Sequence, residues 1–403
     1  MGRFLKGCLS LLLLTVLLLP VSAAGGVGVS IDGVPVVFND SYGYPFLDEN
    51  GRTQVPFRRT METFGCTVSW NPLTRTATAK KDGITVAVPI GKPYLTVDGT
   101  KVSMDTDARI VGDRTYLPIR AVAEAFGAMV TWDAGSQTVV ITTGTNLVRV
   151  HFLDVGQGDA ALIDCGTTEV LIDGGDNQAA ATVVSYLRPY VDGKLDYLIA
   201  THPDADHIGG LDDVLAAYDV GEIIDSGCAS DTRSYRDYLA AAQREKGCTF
   251  SYDQDRQIPL GQECTLCILE TGDTWDNANA NSVVCQLVCG NVSVLFTGDM
   301  TATVEQEKLS LFGPVDVLKV AHHGSAYSTC QAFLDVIRPK YAVLSYKLGN
   351  DYHHPAPSTL RRLLNCGATV YGTGKSGTVV LTTDGKVCTF NVSAAFTMAD
   401  AGA

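Results

Sequence analysis

The sequence predicts two α+β units, a small duplicated unit followed by a larger one. Residues 55–78 resemble residues 117–140 at a constant offset of 62, which indicates an internal repeat. A different pattern begins near residue 145, where short apolar runs each end in Gly, Asp or His. With 403 residues and 46% hydrophobic content, the chain is long enough for two or three globular domains.

The first 24 residues have the features of an export signal. Arg3 and Lys6 precede an apolar run from Leu9 to Leu19, and small residues at 21–24 offer a cleavage site. This run is shorter than the ~20 residues that a membrane-spanning helix needs. We therefore expect a secreted or cell-surface protein with no stable membrane insertion after signal cleavage.

The repeat predicts a small α+β unit that is present twice. Each copy has the pattern of a short helix, a glycine stop, and two strands joined by a turn. Upstream of each copy, IDGVPV and VDGTKV predict matching hairpins. The two copies share eight identical positions, among them Gly65 with Gly127 and Trp70 with Trp132.

These P-[FI]-R, F-G and V-[ST]-W elements resemble the stalk-like domain named for the amino terminus of copper amine oxidases, which occurs on exported proteins of Gram-positive bacteria. All seven histidines of the chain lie at position 151 or later, so a histidine copper site in this unit is excluded. For residues 25–144 the resemblance implies a spacer or cell-wall-association domain, and a folding appendage remains the alternative. It also implies a Gram-positive-type source.

Charge limits the ways in which the protein can hold a substrate. The formal net charge of −14 argues against a general electrostatic grip on nucleic acid or anionic lipid. Any phosphate group must therefore be held locally. The basic residues near the motifs described below are Lys319, Lys347, Arg361, Arg362 and Lys375.

Twelve cysteines in an exported chain raise the question of disulfides. Cys264, Cys267, Cys285 and Cys289 have a spacing similar to that of a four-cysteine zinc site, but all four lie in apolar, strand-like runs. Alternation along a strand sends Cys264 and Cys267 to opposite faces. We interpret these cysteines as small apolar core residues, and a few disulfides of unassigned pairing remain open.

Histidine spacing predicts a metal site in the second unit. Six of the seven histidines fall in three pairs, at 202 and 207, 322 and 323, and 353 and 354. The first pair belongs to the stretch THPDADHIGG, which directly follows the apolar run 195–200. Imidazole and carboxylate groups together are the ligands that divalent transition metals prefer. Asp299, after the run VSVLFTG, adds a further carboxylate.

The motifs of the second unit resemble the metallo-β-lactamase fold of binuclear metal hydrolases. Asp204 stands where the HxHxDH motif of that fold usually has its second histidine. This departure, with HFLDVGQGDA at 151–160, LIDGG at 171–175 and LKVAHHGS at 318–325, resembles the ComEC subgroup, whose hydrolase domain is thought to degrade one DNA strand. The resemblance implies an αββα sandwich over residues 145–392, followed by a tail at 393–403.

The same resemblance implies two divalent ions, zinc or manganese, and a role for each motif residue. His202 and Asp204 would hold one ion, and Asp206, His207 and one histidine of the 322/323 pair, assigned as His323, would hold the other. Asp299 would bridge the two ions. The remaining assignments are catalytic roles for Asp206, His322 and His354, and supporting or substrate contacts for Asp154, Asp159, Asp173, Asn281 and Ser325.

The family usually completes its first metal position with a further histidine, which is missing here. No histidine lies between positions 207 and 322, and Asn279 or Asn281 occupies the corresponding region. This absence puts binding of two ions in question. A site with fewer imidazoles and more carboxylates also shifts preference from zinc toward manganese.

The leading hypothesis is an exported, metal-dependent phosphodiesterase that acts through a metal-activated water. Its substrate would be DNA or RNA, as in ComEC-like nucleases, or a teichoic-acid-like phosphodiester of the cell envelope. A lactonase or β-lactamase-type hydrolase is one alternative, although Asp204 and the HHGS sequence weigh against it. A non-catalytic, wall-associated scaffold is the other, and the missing histidine is its only support.

Overall fold

The computed structural model describes residues 26–144, 147–269, 271 and 277–402. The predicted export signal, residues 1–24, lies outside the described residues. The chain divides into two compact units between Thr143 and Gly144. Among the described residues, no helix has both the length and the apolar character needed to cross a bilayer.

The N-terminal unit is built from short strands and two short helices, in agreement with the predicted α+β class. In chain order its elements are β1 (Gly28–Ile31), β2 (Val34–Pro35), β3 (Phe46–Leu47), β4 (Thr53–Pro56), α1 (Phe57–Thr63), β5 (Thr67–Asn71), β6 (Thr76–Lys81), β7 (Ile84–Pro89), β8 (Tyr94–Val97), β9 (Thr100–Ser103), β10 (Arg109–Val111), β11 (Arg114–Pro118), α2 (Ile119–Glu124), β12 (Met129–Asp133) and β13 (Thr138–Thr142).

The two repeat copies have the predicted local structure. In each copy a strand leads into a helix, a glycine with positive φ follows, and a hairpin completes the unit, with φ of 92° at Gly65 and 76° at Gly127. A positive φ is a conformation that glycine adopts at little cost. The copies meet where β4 pairs with β11, so that the equivalent residues Val55 and Leu117 lie opposite each other.

The copies also exchange their upstream hairpins. The hairpin β1–β2, upstream of the first copy, joins the sheet of the second copy in the order β12–β13–β1–β2. The hairpin β8–β9, upstream of the second copy, joins the sheet of the first copy in the order β5–β6–β7–β8–β9. Buried side chains of both copies, including Met61 and Val122, accordingly form one shared core.

The C-terminal unit is a four-layer αββα sandwich, as the family resemblance implied. In chain order its elements are β14 (Val148–Phe152), β15 (Ala161–Asp164), β16 (Glu169–Ile172), α3 (Ala180–Leu187), β17 (Lys194–Ala200), α4 (Ala205–Ile208), α5 (Leu211–Ala217), β18 (Asp219–Asp225), α6 (Arg233–Ala242), β19 (Thr249–Tyr252), β20 (Arg256–Gly261), β21 (Cys264–Leu269), β22 (Val284–Cys289), β23 (Val292–Phe296), α7 (Ala302–Glu307), β24 (Val317–Lys319), α8 (Gln331–Ile337), β25 (Tyr341–Leu344), α9 (Pro357–Asn365), β26 (Thr369–Gly372), α10 (Thr373–Ser376), β27 (Val379–Thr383) and β28 (Cys388–Phe390).

Two sheets form the centre of this sandwich. One has the order β19–β18–β17–β16–β15–β14–β27–β28, and the other has the order β20–β21–β22–β23–β24–β25–β26. A core that includes Phe152 and Phe296 lies between the sheets. A second core joins the first sheet to α3, α5 and α6, and a third joins the other sheet to α7, α8 and α9. The helices therefore cover the outer face of each sheet.

Strand direction brings the motif residues to one edge of the sandwich. The strands β16 and β17 pair in parallel, as do β23 and β24. Polar residues follow the carboxyl ends of all four strands: Asp173, His202, Asp299 and His322. A hydrogen bond from the backbone N–H of His322 to the carbonyl oxygen of Gly298, 3.1 Å long, joins two of these strand ends.

Two sequence expectations differ from the structure of this unit. The segment 393–403 was expected to be a tail, but Phe396 is buried in the third core and Asp400 pairs with Lys375 at 2.7 Å. Cys264 and Cys289 form a cross-strand disulfide instead of filling the core as free thiols. Register explains the bond, because β21 and β22 place these two residues directly opposite each other. Cys285 is a free, buried cysteine, as interpreted from the sequence.

Candidate metal centre

Imidazole and carboxylate side chains from three loops converge at the edge described above. His202, Asp206 and His207 come from the loop and short helix α4 after β17, Asp299 follows β23, and His323 follows β24. Ligand atoms lie within 4.8 Å of one another in four overlapping groups: His202, His207 and Asp299; Asp206, His207 and His323; Asp159, Asp299 and His323; and Asp159, Asp173 and His207.

The carboxylate of Asp299 lies at the centre of this cluster. Its Oδ1 atom is 3.3 Å from Nε2 of His207. Its Oδ2 atom is 3.6 Å, 3.7 Å and 4.0 Å from the Nε2 atoms of His322, His323 and His202, respectively. Asp299 therefore lies where a bridging ligand between two ions would be placed.

The other carboxylates lie on either side of Asp299. Oδ2 of Asp206 is 3.2 Å from Nε2 of His323, and Oδ2 of Asp204 is 3.6 Å from Nε2 of His202. Asp204 belongs to none of the four tight groups in the described part of the chain, and 48% of its side chain is exposed. It lies beside His202 at the open side of the cluster.

Unsatisfied polar atoms show that the cluster suits a cation. The Nε2 atoms of His202, His207 and His323 are buried and have no hydrogen-bond partner, and neither does Oδ1 of Asp299. A buried polar atom without a partner costs free energy. Divalent metal ions coordinate imidazole nitrogen and carboxylate oxygen directly, so the residues present fit zinc or manganese.

Buried acceptors orient the metal-facing histidines. Nδ1 of His207 lies 2.7 Å from Oδ2 of Asp173, which also accepts a hydrogen bond from the hydroxyl of Thr201. Nδ1 of His323 lies 3.0 Å from the carbonyl oxygen of Ser345 and 3.3 Å from Oδ1 of Asp159. With its N–H on Nδ1, each imidazole keeps the lone pair of Nε2 for a metal.

The carboxylates of the cluster favour positively charged partners. Burial raises the pKa of Asp206, but the neighbouring imidazoles of His323 and His207 outweigh this effect and lower it to about 2. Burial lowers the pKa of His323, yet the carboxylates of Asp299 and Asp159 raise it to about 10. Four buried or part-buried carboxylates therefore attract positive charge, which a metal ion would supply.

An unusual backbone turn presents the two adjacent histidines. His322, His323 and Gly324 all have positive φ, at 51°, 53° and 83°. Left-handed conformations are costly for residues other than glycine and occur mainly at functional sites. The surrounding contacts maintain this turn so that both imidazoles face the cluster.

The structure separates the other predicted residues into near and distant sets. Asp159 and Asp173 contact metal-facing histidines. The ring of His354 is 6.0 Å from that of His322. Asp154 is exposed and belongs to none of the tight groups in the described part of the chain. Ser325 is buried in the turn, where its carbonyl oxygen accepts a hydrogen bond from Thr359.

The proposed role for Asn281 needs correction. Its amide donates to the carbonyl oxygen of Asn277, whereas Nδ2 of Asn279 lies 3.5 Å from Nε2 of His322. Asn279 therefore faces the cluster, because the two asparagines point in different directions from one 3₁₀ turn. Sequence position alone does not distinguish the two asparagines.

Three supporting residues were missed or misassigned from the sequence. Thr201 orients Asp173, and Ser282 receives the backbone N–H of Asp299 at 3.0 Å. Lys319, expected to be available to a phosphate, is buried, and its Nζ donates to Oδ2 of Asp159 at 2.6 Å. Thr201 could have been found from the sequence because it directly precedes His202. The burial of Lys319 could have been predicted because it lies at the end of an apolar strand.

Comparison with known families agrees with this geometry. The family described as the metallo-beta-lactamase superfamily matches residues 150–346, which carry every residue of the cluster. The C-terminal unit belongs to the metallo-beta-lactamase superfamily. Its fold is that of this superfamily of metal-dependent hydrolases, and the His/Asp cluster supplies residues that could hold divalent ions. Residues 30–141 match the copper amine oxidase N-terminal domain, so the N-terminal unit belongs to that family.

Curated relatives of the chain include Competence protein ComA of Neisseria gonorrhoeae, which is 29% identical over 236 residues, covering 58% of this chain and 32% of that protein. The chain is 30% identical over 267 residues to ComE operon protein 3 of Bacillus subtilis (strain 168), covering 60% of this chain and 34% of that protein. It is 33% identical over 237 residues to Recombination protein 2 of Haemophilus influenzae, covering 57% of this chain and 28% of that protein. The chain thus spans about a third of the length of these relatives.

A solved metallo-beta-lactamase fold protein, YhfI from Bacillus subtilis, is 14% identical to the chain, with a TM-score of 0.38. The match covers 56% of this chain and 95% of that protein. The ComEC-like resemblance stated from the sequence is confirmed by the competence proteins among the relatives.

Proposed function

We propose that this protein is an exported phosphodiesterase that depends on two divalent ions, zinc or manganese. One observation carries the proposal: three buried Nε2 atoms without hydrogen-bond partners surround the central carboxylate of Asp299, with further carboxylates on both sides. Two divalent ions held by these residues would activate a water and would stabilise both the attacking and the leaving oxygen of a phosphoryl group. No nucleophilic side chain is then required.

The side chains of this chain have separable tasks in that reaction. His202 and Asp204 would hold one ion. Asp206, His207 and His323 would hold the other, and Asp299 would contact both. Asp206 is also placed to orient a water, because its carboxylate stays ionised beside His323. His354 lies next to the histidine pair and can donate a hydrogen bond to a phosphate oxygen or to the leaving group.

Burial favours the neutral form of the His354 imidazole. Burial lowers the pKa of His354 to about 4, and the neighbouring His323 and His322 lower it in the same direction. Its imidazole is therefore neutral at physiological pH, with one N–H to donate. It would act as a hydrogen-bond donor to a phosphate oxygen rather than as a fixed positive charge.

A nucleic acid is the favoured substrate, and a teichoic-acid-like phosphodiester is the alternative. The relatives are named for competence and recombination, which favours nucleic acid. Lys319 is committed to Asp159, so it is not available to hold a phosphate chain. Lys347 and Arg361 are both exposed and offer only local charge. We therefore propose that the enzyme binds a short stretch of a nucleic-acid strand and not a long duplex.

We also propose that the protein acts at the cell surface, with the N-terminal unit associating with the wall of a Gram-positive-type cell. The support is the export signal expected at residues 1–24 and the family of the N-terminal unit. Fractionation of the native host, with antibody detection in wall, membrane and medium fractions, tests this. Recovery only inside the cell would contradict it.

Metal-dependent activity is the direct test of the proposed reaction. Chelated protein should be inactive on a chromogenic phosphodiester and on single-stranded DNA, and manganese or zinc should restore activity. Asp299→Ala and His207→Ala should each lower turnover by at least about a hundredfold, because each removes a metal contact. His353→Gln, at an exposed histidine, is the matched control.

The substrate panel should include a lactone and a β-lactam, because other members of the fold class cleave such bonds. Phosphodiester turnover at or below the level of these compounds would contradict the proposal. So would activity within about threefold of wild type in Asp299→Ala, since a shared metal ligand cannot be dispensable.

A further inference from the structure

We propose that His322 is an imidazole ligand of the first metal position and replaces the histidine missing from the motif region between residues 207 and 322. This inference rests on the proposed metal-dependent function. Without it, the first position has only His202 as an imidazole ligand, together with Asp204 and the shared Asp299. From the sequence alone, His322 is expected to have a catalytic role instead.

Distances to Asp299 carry the proposal. Nε2 of His322 lies 3.6 Å from Oδ2 of Asp299, which is closer than the 4.0 Å between that oxygen and Nε2 of His202. His202 in turn lies 3.6 Å from Oδ2 of Asp204. The same nitrogen of His322 therefore faces the carboxylate that any ion at the first position would share.

With His322 included, the two metal positions acquire matching ligand sets. The first has His202, His322 and Asp204, and the second has His207, His323 and Asp206, with Asp299 common to both. The corresponding contacts in the second position are 3.2 Å from His323 to Asp206 and 3.3 Å from His207 to Asp299. Two imidazoles and two carboxylates at each position suit zinc or manganese.

The left-handed turn explains how neighbouring residues reach different positions. In a strand, consecutive side chains point to opposite faces, so only one of two adjacent histidines could face the cluster. Positive φ at both His322 and His323 instead turns both rings inward. The rings lie 6.1 Å apart at 79° to each other, an arrangement that directs them to separate points.

The strand ends hold this turn at the metal centre. The backbone N–H of His322 donates to the carbonyl oxygen of Gly298, the residue before Asp299, at 3.1 Å. The loop that supplies the shared carboxylate is thereby tied directly to the turn that supplies His322. This backbone hydrogen bond fixes the position of His322 relative to the shared carboxylate of Asp299.

Metal stoichiometry distinguishes a ligand from a substrate-binding residue. Equilibrium dialysis against manganese and against zinc, followed by elemental analysis, should give about two ions per chain for the wild type. His322→Gln should retain about one tightly bound ion, with the affinity for the other lowered at least about tenfold. His353→Gln, an exposed histidine in the other adjacent pair, should match the wild type.

Two ions bound by His322→Gln with unchanged affinity would overturn the proposal, even if turnover fell, because that result assigns His322 to the substrate. A wild type that binds no ion would instead refute the metal-dependent function itself. The two failures are therefore distinguishable from the wild-type measurement alone.

A second measurement uses the unaltered protein and so does not depend on the folding of a variant. In cobalt-loaded wild type, each histidine bound through Nε2 contributes one strongly shifted, solvent-exchangeable Nδ1–H proton resonance. Four such resonances, from His202, His207, His322 and His323, are expected. Three at full metal occupancy would show that His322 is not a ligand.

Discussion

Nδ1 of His207 lies 2.7 Å from Oδ2 of Asp173, and both side chains are almost completely buried. Asp173 also accepts the backbone N–H and the hydroxyl of Thr201, at 2.8 Å and 2.7 Å. These contacts hold the carboxylate in place, and the carboxylate holds the imidazole. Thr201, which directly precedes His202, thus controls the orientation of His207 through Asp173.

Replacing Asp173 should weaken metal binding without removing any metal contact. We expect Asp173→Asn to lower metal affinity by roughly 10–100-fold, as loss of an orienting carboxylate does in other metal sites. Competition with a chromophoric chelator measures this affinity. Asp176→Asn, three residues further on in a local turn, is the control and should leave affinity unchanged. Equal effects of the two variants would contradict the assigned role.

Asp204 should influence which metal activates the protein. Its carboxylate is a hard ligand where the wider superfamily has an imidazole, so manganese should activate the wild type better than zinc. Asp204→His should shift preference toward zinc and retain some turnover, because Asp299 and the second-position ligands are unchanged. Half of this side chain is exposed, so the larger imidazole meets little steric resistance.

A metal-dependence series on both proteins, prepared metal-free and compared at equal occupancy, tests this expectation. An unchanged preference would mean that Asp204 does not contact an ion. The first position would then depend on His202, His322 and Asp299.

Deletion of residues 25–143 should leave turnover of a small diester intact. Each unit has its own hydrophobic core, and all residues of the metal centre belong to the C-terminal unit. Steady-state kinetics of the shortened protein should match those of the full chain within about twofold. A shortened protein that shows native circular dichroism but no turnover would reject the spacer role of the N-terminal unit.

Asp48 should make the N-terminal unit sensitive to acid. Burial raises the pKa of Asp48, but hydrogen bonds from Thr106, Gln54 and two backbone N–H groups outweigh burial and lower it to about 2. Because the folded-state pKa lies below the ordinary value of 3.8, Asp48 stabilises the fold above about pH 4. This contribution is lost as the pH falls toward 2.

Calorimetry of the full chain measures this effect, and the transition of the N-terminal unit is identified by its loss in the deletion protein. Asp48→Asn should lower the free energy of unfolding at neutral pH by roughly 1–3 kcal/mol and flatten its dependence between pH 4 and 2. Asp40→Asn, at an exposed carboxylate, is the control. An unaltered pH dependence in Asp48→Asn would contradict the assignment.

The sequence predicted the α+β class, both families and the cluster residues, because these depend on local strand ends and on motif spacing. It did not predict contacts that depend on three-dimensional pairing. Lys319 and Asp159 are 160 residues apart in sequence, yet they form a buried ion pair. The disulfide of Cys264 and Cys289 depends on strand register, and the choice of Asn279 over Asn281 depends on the direction of a single turn.

The exchange of upstream hairpins makes the two repeat copies of the N-terminal unit depend on each other. Because β1–β2 completes the sheet of the second copy and β8–β9 extends that of the first, neither copy contains a whole sheet of its own. If one copy were lost, the remaining copy would keep a hairpin that belongs to the sheet of the lost copy. Its own sheet would lack the hairpin that the lost copy supplied. We therefore expect that the two copies fold only together, as one unit.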